Sequence, residues 1–387
     1  MECLAYDSGR CRSCTLIKTP YARQVESKQD TLQRVLAEAL GEAASAIEWR
    51  EPLLGPESGF RTKAKMVVAG SIEAPTVGIL DAEGHGIDLR DCPLYDPALT
   101  AAFPILAAFV TEAGLQPYSV PERRGELKHI IVTVSPSGEL MARFVLRSTE
   151  ALSRIRKHLP WLQGQLRALV VATVNVLPEH RAVMEGEREI VLTERHELHM
   201  GFGEVNLRLR PQGFFQTNTD VARALYAHVA EWVNESRPDS VWDLYCGVGG
   251  FALHCLAEGR FVTGVESSEQ AVLSARASAA EMMRRGVAGA GEARFVAADA
   301  TRWAGSRAAP DVVIVNPPRR GIGADLAGWL EASGVRRVVY SSCNAVTLAR
   351  DLQSMPTLVP VRGQLLDMFP HTEHFEAVVL LERSATE

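Results

Sequence analysis

One stretch of the sequence, Asp243-Leu244-Tyr245-Cys246-Gly247-Val248-Gly249-Gly250, joins a short apolar strand to a helix. Glycines at such a junction permit a tight turn and let the backbone approach a ligand at the carboxyl edge of a sheet. The pattern is not Gly-x-Gly-x-x-Gly, so the loop alone is weak support for a cofactor site. Its meaning depends on the segments around it.

Apolar strands alternate with helical segments from about residue 219 to the C-terminus. The first helix begins at Asn218 or Thr219 as its cap, because Val221, Leu225 and Val229 recur at helical spacing. We predict strands at 241–244, 261–265, 294–297, 311–315, 335–340, 358–366 and 376–382, and helices at 268–285, 324–332 and 345–354. This alternation predicts an α/β fold with a doubly wound, mostly parallel, seven-stranded sheet.

Polar residues stand where successive predicted strands end. Glu266 ends the second strand, about where a carboxylate would bind ribose hydroxyls, and Asp299 follows the third. Asn316 follows the fourth. Because the carboxyl ends of parallel strands meet at one edge, these residues and the Gly247 loop predict a nucleotide-type cofactor site.

Two residues near the C-terminus suggest covalent chemistry. Cys343 ends an apolar run, as a nucleophile would, and Glu376 comes soon afterwards beside the last predicted strand. A carboxylate there could face the same cleft and act as a base. We expect His371 and His374 to shape the site or to form hydrogen bonds within it.

The chain has seven cysteines, four of them in its first quarter. The Cys-x-x-Cys pair at Cys11 and Cys14 suggests a metal or redox site, and Cys3 and Cys92 would complete a set of four thiolates. Zinc and an iron–sulfur cluster both accept such a set, and unligated buried thiols are the remaining reading. We expect Cys246 and Cys255 to be packing residues.

The N-terminal half has short β-branched runs separated by turns. Segments 129–134 and 141–146 predict a hairpin, 170–176 and 189–193 predict a second strand pair, and helices are expected near 28–40, 98–113 and 152–166. This half is therefore α+β. We place one boundary after residue 205, between an α+β region at 1–205 that contains the four-cysteine set and a second domain at 206–387 that contains the glycine loop, and we expect a helix near 20–48 to pack on the second domain.

Charge and hydropathy restrict the partners. The net charge of −6 gives no general case for nucleic acid, but basic clusters are confined to the region before residue 170. These clusters are Arg61, Lys63 and Lys65; Arg123, Arg124 and Lys128; and Arg154, Arg156 and Lys157. They could hold RNA phosphates. Without an apolar run of about 18 residues or a signal peptide, we expect a cytoplasmic protein.

Four motifs together resemble the RNA uracil-C5 methyltransferases, which use S-adenosylmethionine. They are Asp-Leu-Tyr-Cys-Gly-Val-Gly-Gly, Asn-Pro-Pro-Arg-Arg-Gly, Ser-Ser-Cys-Asn and Phe-Pro-His-Thr-x-His-x-Glu. The opening Cys-x-x-Tyr-Asp-x-Gly-Arg-Cys-Arg-Ser-Cys is similar to the shorter branch, which acts on uracil 747 of 23S ribosomal RNA. The resemblance covers essentially the whole chain.

This resemblance implies a Rossmann-like class I methyltransferase fold and specific site residues. It implies cofactor contacts at Gln216, Tyr245, Glu266 and Asn316, although many relatives have aspartate at the position of Asn316. It also favours a [4Fe–4S] cluster over zinc, with four ligands: Cys3, Cys11, Cys14 and Cys92.

The implied chemistry needs both Cys343 and Glu376. The Cys343 thiolate would add to C6 of uracil, which makes C5 nucleophilic, and Glu376 would remove the C5 proton after methylation. Both faces of the ring must be reached, so the target lies in a loop or is extruded. We therefore expect RNA as the partner, with no DNA and no membrane, and a monomeric protein.

Three other readings fit part of the sequence. Methyltransferases for amide or adenine nitrogen also contain Asn-Pro-Pro, but an aromatic residue usually follows where Arg319 stands, and they need no cysteine. Radical iron–sulfur enzymes carry Cys-x₃-Cys-x₂-Cys, which is absent. The third is a non-catalytic RNA-binding protein with a relict cofactor fold, which an assay of methyl transfer distinguishes from an enzyme. Within the family resemblance, uracil-C5 methylation of another RNA, at a different rRNA position or in tRNA, is the alternative substrate.

Overall fold

The computed structural model of the chain describes residues 1–287 and 291–384, which divide into two compact units. Unit 1 comprises residues 1–14, 56–201 and 209–212. Among the described residues, unit 2 comprises 15–55, 202–208, 213–287 and 291–384. The sequence predicted one boundary after residue 205, whereas this division assigns residues 15–55 to the same unit as the C-terminal half.

Unit 2 is built around an eight-stranded sheet. Its strands are β1 (Glu48–Trp49), β11 (Ser240–Leu244), β12 (Phe261–Glu266), β13 (Glu292–Ala297), β14 (Val312–Val315), β15 (Arg337–Ser342), β16 (Leu358–Leu366) and β17 (Glu376–Arg383). They are arranged in the order β1-β16-β17-β15-β14-β11-β12-β13. The five strands from β15 to β13 are parallel, and β17 is antiparallel to both β15 and β16.

The prediction of seven strands is wrong by one, and the sheet is mixed. Strand β1 has only two residues, too few to show a periodic pattern, and it pairs in parallel with β16. Gly363 on β16 makes room for this neighbour, since a Cβ at Gly363 would lie 2.7 Å from the ring of Trp49. Residues of the N-terminal quarter thus extend the C-terminal sheet.

Helices cover the sheet of unit 2. They are α2 (Tyr21–Leu40), α3 (Glu42–Ser45), α6 (Thr219–Glu235), α7 (Gly250–His254), α8 (Glu269–Arg284), α9 (Ala300–Ala304), α10 (Gly323–Ala332) and α11 (Ala345–Gln353). Of the two predicted caps of helix α6, Asn218 is the one observed, because its side chain accepts a hydrogen bond from the Val221 amide at 3.3 Å. That bond satisfies an amide that the first turn of a helix leaves without a partner.

Unit 1 has a seven-stranded sheet and three helices in the described residues. The strands are β2 (Lys63–Gly70), β3 (Pro75–Leu80), β4 (Gly86–Asp88), β5 (Leu127–Val134), β6 (Leu140–Leu146), β7 (Leu169–Val176) and β8 (Arg188–Val191), and the helices are α1 (Leu4–Asp7), α4 (Pro97–Glu112) and α5 (Leu152–Gln165). The order is β4-β3-β2-β5-β6-β7-β8, and the predicted pairs β5–β6 and β7–β8 are confirmed. Helices α4 and α5 bury their apolar faces against one side of this sheet.

A short strand pair remains, at the point where the chain passes between the units. Strands β9 (Leu198–Phe202) and β10 (Val205–Leu209) form a two-stranded sheet. Within residues 1–287 and 291–384, every helix is too short or too polar to cross a bilayer.

Candidate active site

A cavity opens at the carboxyl edge of the unit 2 sheet. Strand β11 has β12 on one side and β14 on the other. The order of strands along the sheet therefore reverses at β11, although all three strands are parallel. Ligands of doubly wound sheets bind at such a switch point. The cavity measures about 560 Å³, within the usual range for a small-molecule site. It is lined by all the predicted catalytic and cofactor-binding residues: Gln216, Tyr245, Gly247, Glu266, Asp299, Asn316, Cys343 and Glu376.

The loop after β11 makes an unusually tight turn. Tyr245, Gly247 and Gly249 have φ angles of 67°, 53° and 89°, a region that costs glycine little and other residues more. The backbone amides of Tyr245 and Cys246 both donate to the Val265 carbonyl, at 2.9 and 3.1 Å. This loop therefore places the tyrosine and the Gly247 backbone at the cavity wall.

Glu266 is held in place by the loops on either side of it. One carboxylate oxygen accepts from the Gly247 amide at 3.2 Å, and the other accepts from the Ser268 amide at 2.9 Å and the Ser267 hydroxyl at 3.0 Å. A carboxylate offers about four lone-pair positions, so Glu266 retains capacity to accept from ligand hydroxyls. Glu266, the residue predicted to contact ribose, is thus a carboxylate held in a fixed orientation that can accept further hydrogen bonds.

Strand pairing brings Cys343 and Glu376 together. Strands β15 and β17 are antiparallel neighbours, and Ser342 lies opposite Ala377. Cys343 follows Ser342, and Glu376 precedes Ala377, so both residues stand at the same end of adjacent strands. Both line the cavity. A residue that could be a nucleophile and one that could be a base therefore share one wall.

Burial sets the acidity of Glu376. Its side chain is only 2% exposed, which excludes a solvated edge residue, and burial raises its pKa to about 7. The Ser341 hydroxyl donates to Glu376 Oε1 at 2.6 Å and opposes that rise. Ser341 is not among the site residues predicted from the sequence. The alternation of strand side chains would have indicated it, because Ser341 and Cys343 are two residues apart on the same face.

Arg319 is a second site residue that was not predicted from the sequence. Burial raises the pKa of the half-buried Cys343 thiol, and the neighbouring Glu376 carboxylate raises it further. The Arg319 guanidinium acts in the opposite direction, through its charge and a hydrogen bond to the thiol. Among these neighbours it is the group that favours the thiolate, the reactive form of cysteine.

Comparison with known proteins agrees with this geometry. A family model described as tRNA (uracil-5-)-methyltransferase matches residues 184–384. The 23S rRNA (uracil(747)-C(5))-methyltransferase RlmC of Escherichia coli O127:H6 (strain E2348/69 / EPEC) is 48% identical over 98% of this chain and 99% of its own length. The chain belongs to the tRNA (uracil-5-)-methyltransferase family. The relative of the same name from Shigella boydii serotype 4 (strain Sb227) matches to the same extent.

A solved structure of similar fold covers most of the chain. The tRNA (uracil-54, C5)-methyltransferase of Pyrococcus abyssi, in complex with S-adenosyl-L-homocysteine, superposes with a TM-score of 0.77. It covers 95% of this chain and 85% of its own, at 24% identity. This likeness shows that the α/β methyltransferase fold predicted for this uracil-5-methyltransferase is correct.

The four N-terminal cysteines of this uracil-5-methyltransferase lie in one neighbourhood of unit 1. Burial raises the pKa of Cys14 to about 11, and the thiols of Cys92, Cys11 and Cys3 raise it as well. Yet across residues 1–287 and 291–384, no three His, Cys, Asp or Glu side chains are arranged as metal ligands. Cys255, by contrast, is buried as predicted for a packing residue.

The predicted basic clusters are only partly available to RNA. Lys128 lies in β5 and is buried, and its ammonium donates to the Glu179 carbonyl at 2.6 Å. Lys65 pairs with Glu185 at 3.1 Å and Arg154 with Glu150 at 2.7 Å. The exposed members are Arg61, Lys65, Arg123, Arg124, Arg156 and Lys157.

The cavity has exposed RNA-compatible groups of its own. Arg319 and Arg320 line it and are exposed, and the ring of Phe214 is 71% exposed at its wall. Cations can bind phosphates, and aromatic rings can stack on bases. The prediction that confined the basic clusters to the region before residue 170 therefore left out Arg319 and Arg320.

Proposed function

We propose that this enzyme transfers a methyl group from S-adenosylmethionine to C5 of a uracil in 23S ribosomal RNA, and that the position is uracil 747. The relatives that match 98% of the chain are named for that reaction. The observation that carries the proposal is the pairing of Cys343 and Glu376 at neighbouring strand ends of one cavity.

The cavity residues fit an S-adenosylmethionine-type cofactor. Glu266 offers a fixed carboxylate for ribose hydroxyls, and Asn316 and Gln216 offer amides that both donate and accept. Tyr245 adds an aromatic ring, and Asp299 a second carboxylate at the next strand end. When bound, the cofactor supplies an electrophilic methyl group on a sulfonium.

Cys343 begins the proposed reaction. Its thiolate adds to C6 of the uracil, an S–C6 bond forms, and the electron pair of the C5–C6 double bond moves towards C5 and the ring carbonyl. The electron pair at C5 would then form a bond to the methyl carbon while the bond from that carbon to the sulfonium sulfur breaks, and S-adenosylhomocysteine would leave with the electron pair on its sulfur. Arg319 stabilises the thiolate before addition, because its guanidinium lies in hydrogen-bond contact with the thiol.

Glu376 completes the reaction. Its carboxylate removes the proton from the methylated C5, the double bond re-forms, and the S–C6 bond breaks to release Cys343. A pKa of about 7 suits this step, since the residue is then partly ionised near neutral pH yet basic enough to accept a proton.

RNA enters with its target base unstacked. Addition to C6 needs access to the ring face, which a stacked helix does not give. Arg319 and Arg320 at the cavity would bind the adjacent phosphates, and the exposed Phe214 ring would stack on a base.

We further propose that Cys3, Cys11, Cys14 and Cys92 hold a [4Fe–4S] cluster in unit 1. Four thiolates are the usual donor set for such a cluster, and the mutual influence of these thiols on the pKa of Cys14 supports their proximity. Methyl transfer moves no electron, so the residues would serve to stabilise the fold or to position RNA.

Methylation of defined RNAs tests the proposed function. Purified enzyme should transfer radiolabelled methyl groups from S-adenosylmethionine to unmodified 23S rRNA, and mass spectrometry should locate them at one uracil. Transfer RNA and other ribosomal positions serve as the competing substrates. Equal labelling of transfer RNA would overturn the substrate, and no transfer to any RNA would overturn the activity.

A further inference from the structure

Helix α2 holds the turn that precedes the proposed base. The turn, residues 367–375, connects the paired residues Leu366 and Glu376 of β16 and β17. It also supplies Phe369, which lines the cavity beside Glu376. Any shift of this turn would therefore move two residues of the site.

Gln24 on α2 bonds to both the backbone and the ring of His371. Its Oε1 accepts from the His371 amide at 2.9 Å, and its Nε2 lies 3.2 Å from His371 Nδ1. The orientation of the Gln24 amide is fixed, because Nε2 also donates to the carbonyls of Thr19 and Leu16, at 2.8 and 3.1 Å. The amide has two N–H groups for these three acceptor positions, so the bond from the His371 amide to Gln24 Oε1 is the link that joins the turn to α2 most directly.

His371 adopts a backbone conformation that needs such support. Its φ is 66°, in the left-handed region that is unfavourable for a residue with a side chain, and the residue is fully buried. Its carbonyl accepts from the Leu16 amide at 2.9 Å. Backbone strain of this kind persists only where surrounding contacts overdetermine it.

A second contact anchors the start of the turn. Lys28 stands one helical turn after Gln24 on the same face of α2. Its ammonium donates to Asp367 at 2.7 Å and to the Phe369 carbonyl at 3.1 Å, and both charged groups are buried. The turn is thus bound to α2 at its beginning and at its middle.

We infer that Gln24 is a positioning residue for proton removal by Glu376. This inference rests on the proposed function. Gln24 does not reach the cavity; it holds His371, and through His371 the turn that aims Glu376 at C5 of the bound uracil. A base displaced by a fraction of an ångström loses much of its rate, whereas addition of Cys343, carried by β15, does not depend on the turn.

The test separates methyl transfer from proton removal. Full-length enzyme is given S-adenosylmethionine with a radiolabelled methyl group and a 23S rRNA fragment carrying tritium at uracil C5. Methyl incorporation reports alkylation, and tritium release reports proton removal. In the wild type the two should proceed together.

For Gln24→Met, which keeps the volume but none of the hydrogen bonds, tritium release should slow on the order of tenfold relative to methyl incorporation. A covalent enzyme–RNA complex should then accumulate on a denaturing gel. Gln24→Glu, which keeps the acceptor for the His371 amide but loses the donors, should show a smaller lag and serves if Gln24→Met does not fold. Gln353→Ala removes the contact from Gln353 to the Ala39 carbonyl at the far end of α2 and should keep the two rates matched.

Two outcomes would count against the inference. If methyl incorporation and tritium release slow by the same factor in both Gln24 variants, Gln24 has a structural role only. If both rates stay at the wild-type level, Gln24 has no role. Absence of methyl incorporation by the wild type would instead overturn the proposed function, so the two failures are distinguishable.

Discussion

At the scale of single residues, a serine and an arginine each lower the pKa of one of the two reactive groups. Ser341 donates to Glu376 and limits the rise of its pKa, while Arg319 limits the rise of the Cys343 pKa. Burial otherwise drives both groups towards their neutral forms. Each neighbour therefore favours the ionised form of one reactive group against the effect of burial.

Removing the Ser341 hydroxyl should shift the pH dependence of catalysis. Because this hydrogen bond favours the carboxylate, Ser341→Ala should raise the pKa of Glu376 above its present value of about 7. A hydrogen bond worth about 1 kcal/mol corresponds to a shift of roughly 0.7 pH units. The rate of tritium release from C5 against pH, with Ser342→Ala as the matched control, measures this shift; an unmoved profile would remove Ser341 from the site.

Glu376 should also make the stability of the protein depend on pH. Its folded-state pKa is raised from 4.5 to about 7, so the folded state holds this proton more tightly than the unfolded state. Stability should therefore fall as pH rises through this window, by up to about 3 kcal/mol from this group. Denaturant unfolding at pH 5 and pH 8 should show a smaller fall for Glu376→Gln than for the wild type. An identical fall in both proteins would contradict the assigned burial effect.

At the scale of elements, the loops at the carboxyl ends of the strands carry the cofactor site. Glu266 at the end of β12 both orders the Gly247 loop and faces the cavity. Its loss would therefore remove a ligand contact and loosen the loop that provides others.

Glu266→Ala should weaken S-adenosylmethionine binding by about tenfold to a hundredfold, as expected for loss of charge-assisted hydrogen bonds of roughly 1.5–3 kcal/mol. Isothermal titration measures the dissociation constant. Glu269→Ala, an exposed carboxylate in the first turn of α8, is the control and should bind normally. Wild-type affinity in Glu266→Ala would exclude the ribose contact.

The elements were predicted well where their patterns were long, and poorly where partners decide the structure. The strands that end at Glu266 and Asn316 could be placed because apolar runs and polar ends repeat along the chain. Strand β1 could not, since two residues carry no period and its pairing with β16 depends on tertiary contact. Gln24 was missed for the same reason, because its role comes from a partner 347 residues away, whereas Ser341 could have been found from its alternation with Cys343 along the strand.

At the scale of the whole molecule, the chain combines a methyltransferase fold with a separate unit that contains four neighbouring thiols. Family resemblance suggested a cluster on these thiols, but the described residues do not stand in ligand geometry. Burial of unligated thiols in a small region is also physically reasonable.

Anaerobically purified protein should be brown, absorb broadly near about 400 nm, and contain roughly four irons per chain, as expected for a cubane held by four cysteines. Cys14→Ser should lose iron and lower the melting temperature, because ligation contributes to folding. Cys255→Ser, which alters a buried cysteine outside the set, should keep its iron. Colourless wild-type protein, or protein with stoichiometric zinc, would refute the cluster and leave the methyltransferase assignment unaffected.

The most direct measurement traps the enzyme on its substrate. Glu376→Gln is incubated with S-adenosylmethionine and a 23S rRNA fragment, digested, and analysed by mass spectrometry. We predict a peptide in which Cys343 is bonded to C6 of a uracil that carries one added methyl group at C5, and no such adduct in Glu376→Gln combined with Cys343→Ala. Methylated RNA formed by Cys343→Ala at the wild-type rate would contradict covalent catalysis by this cysteine.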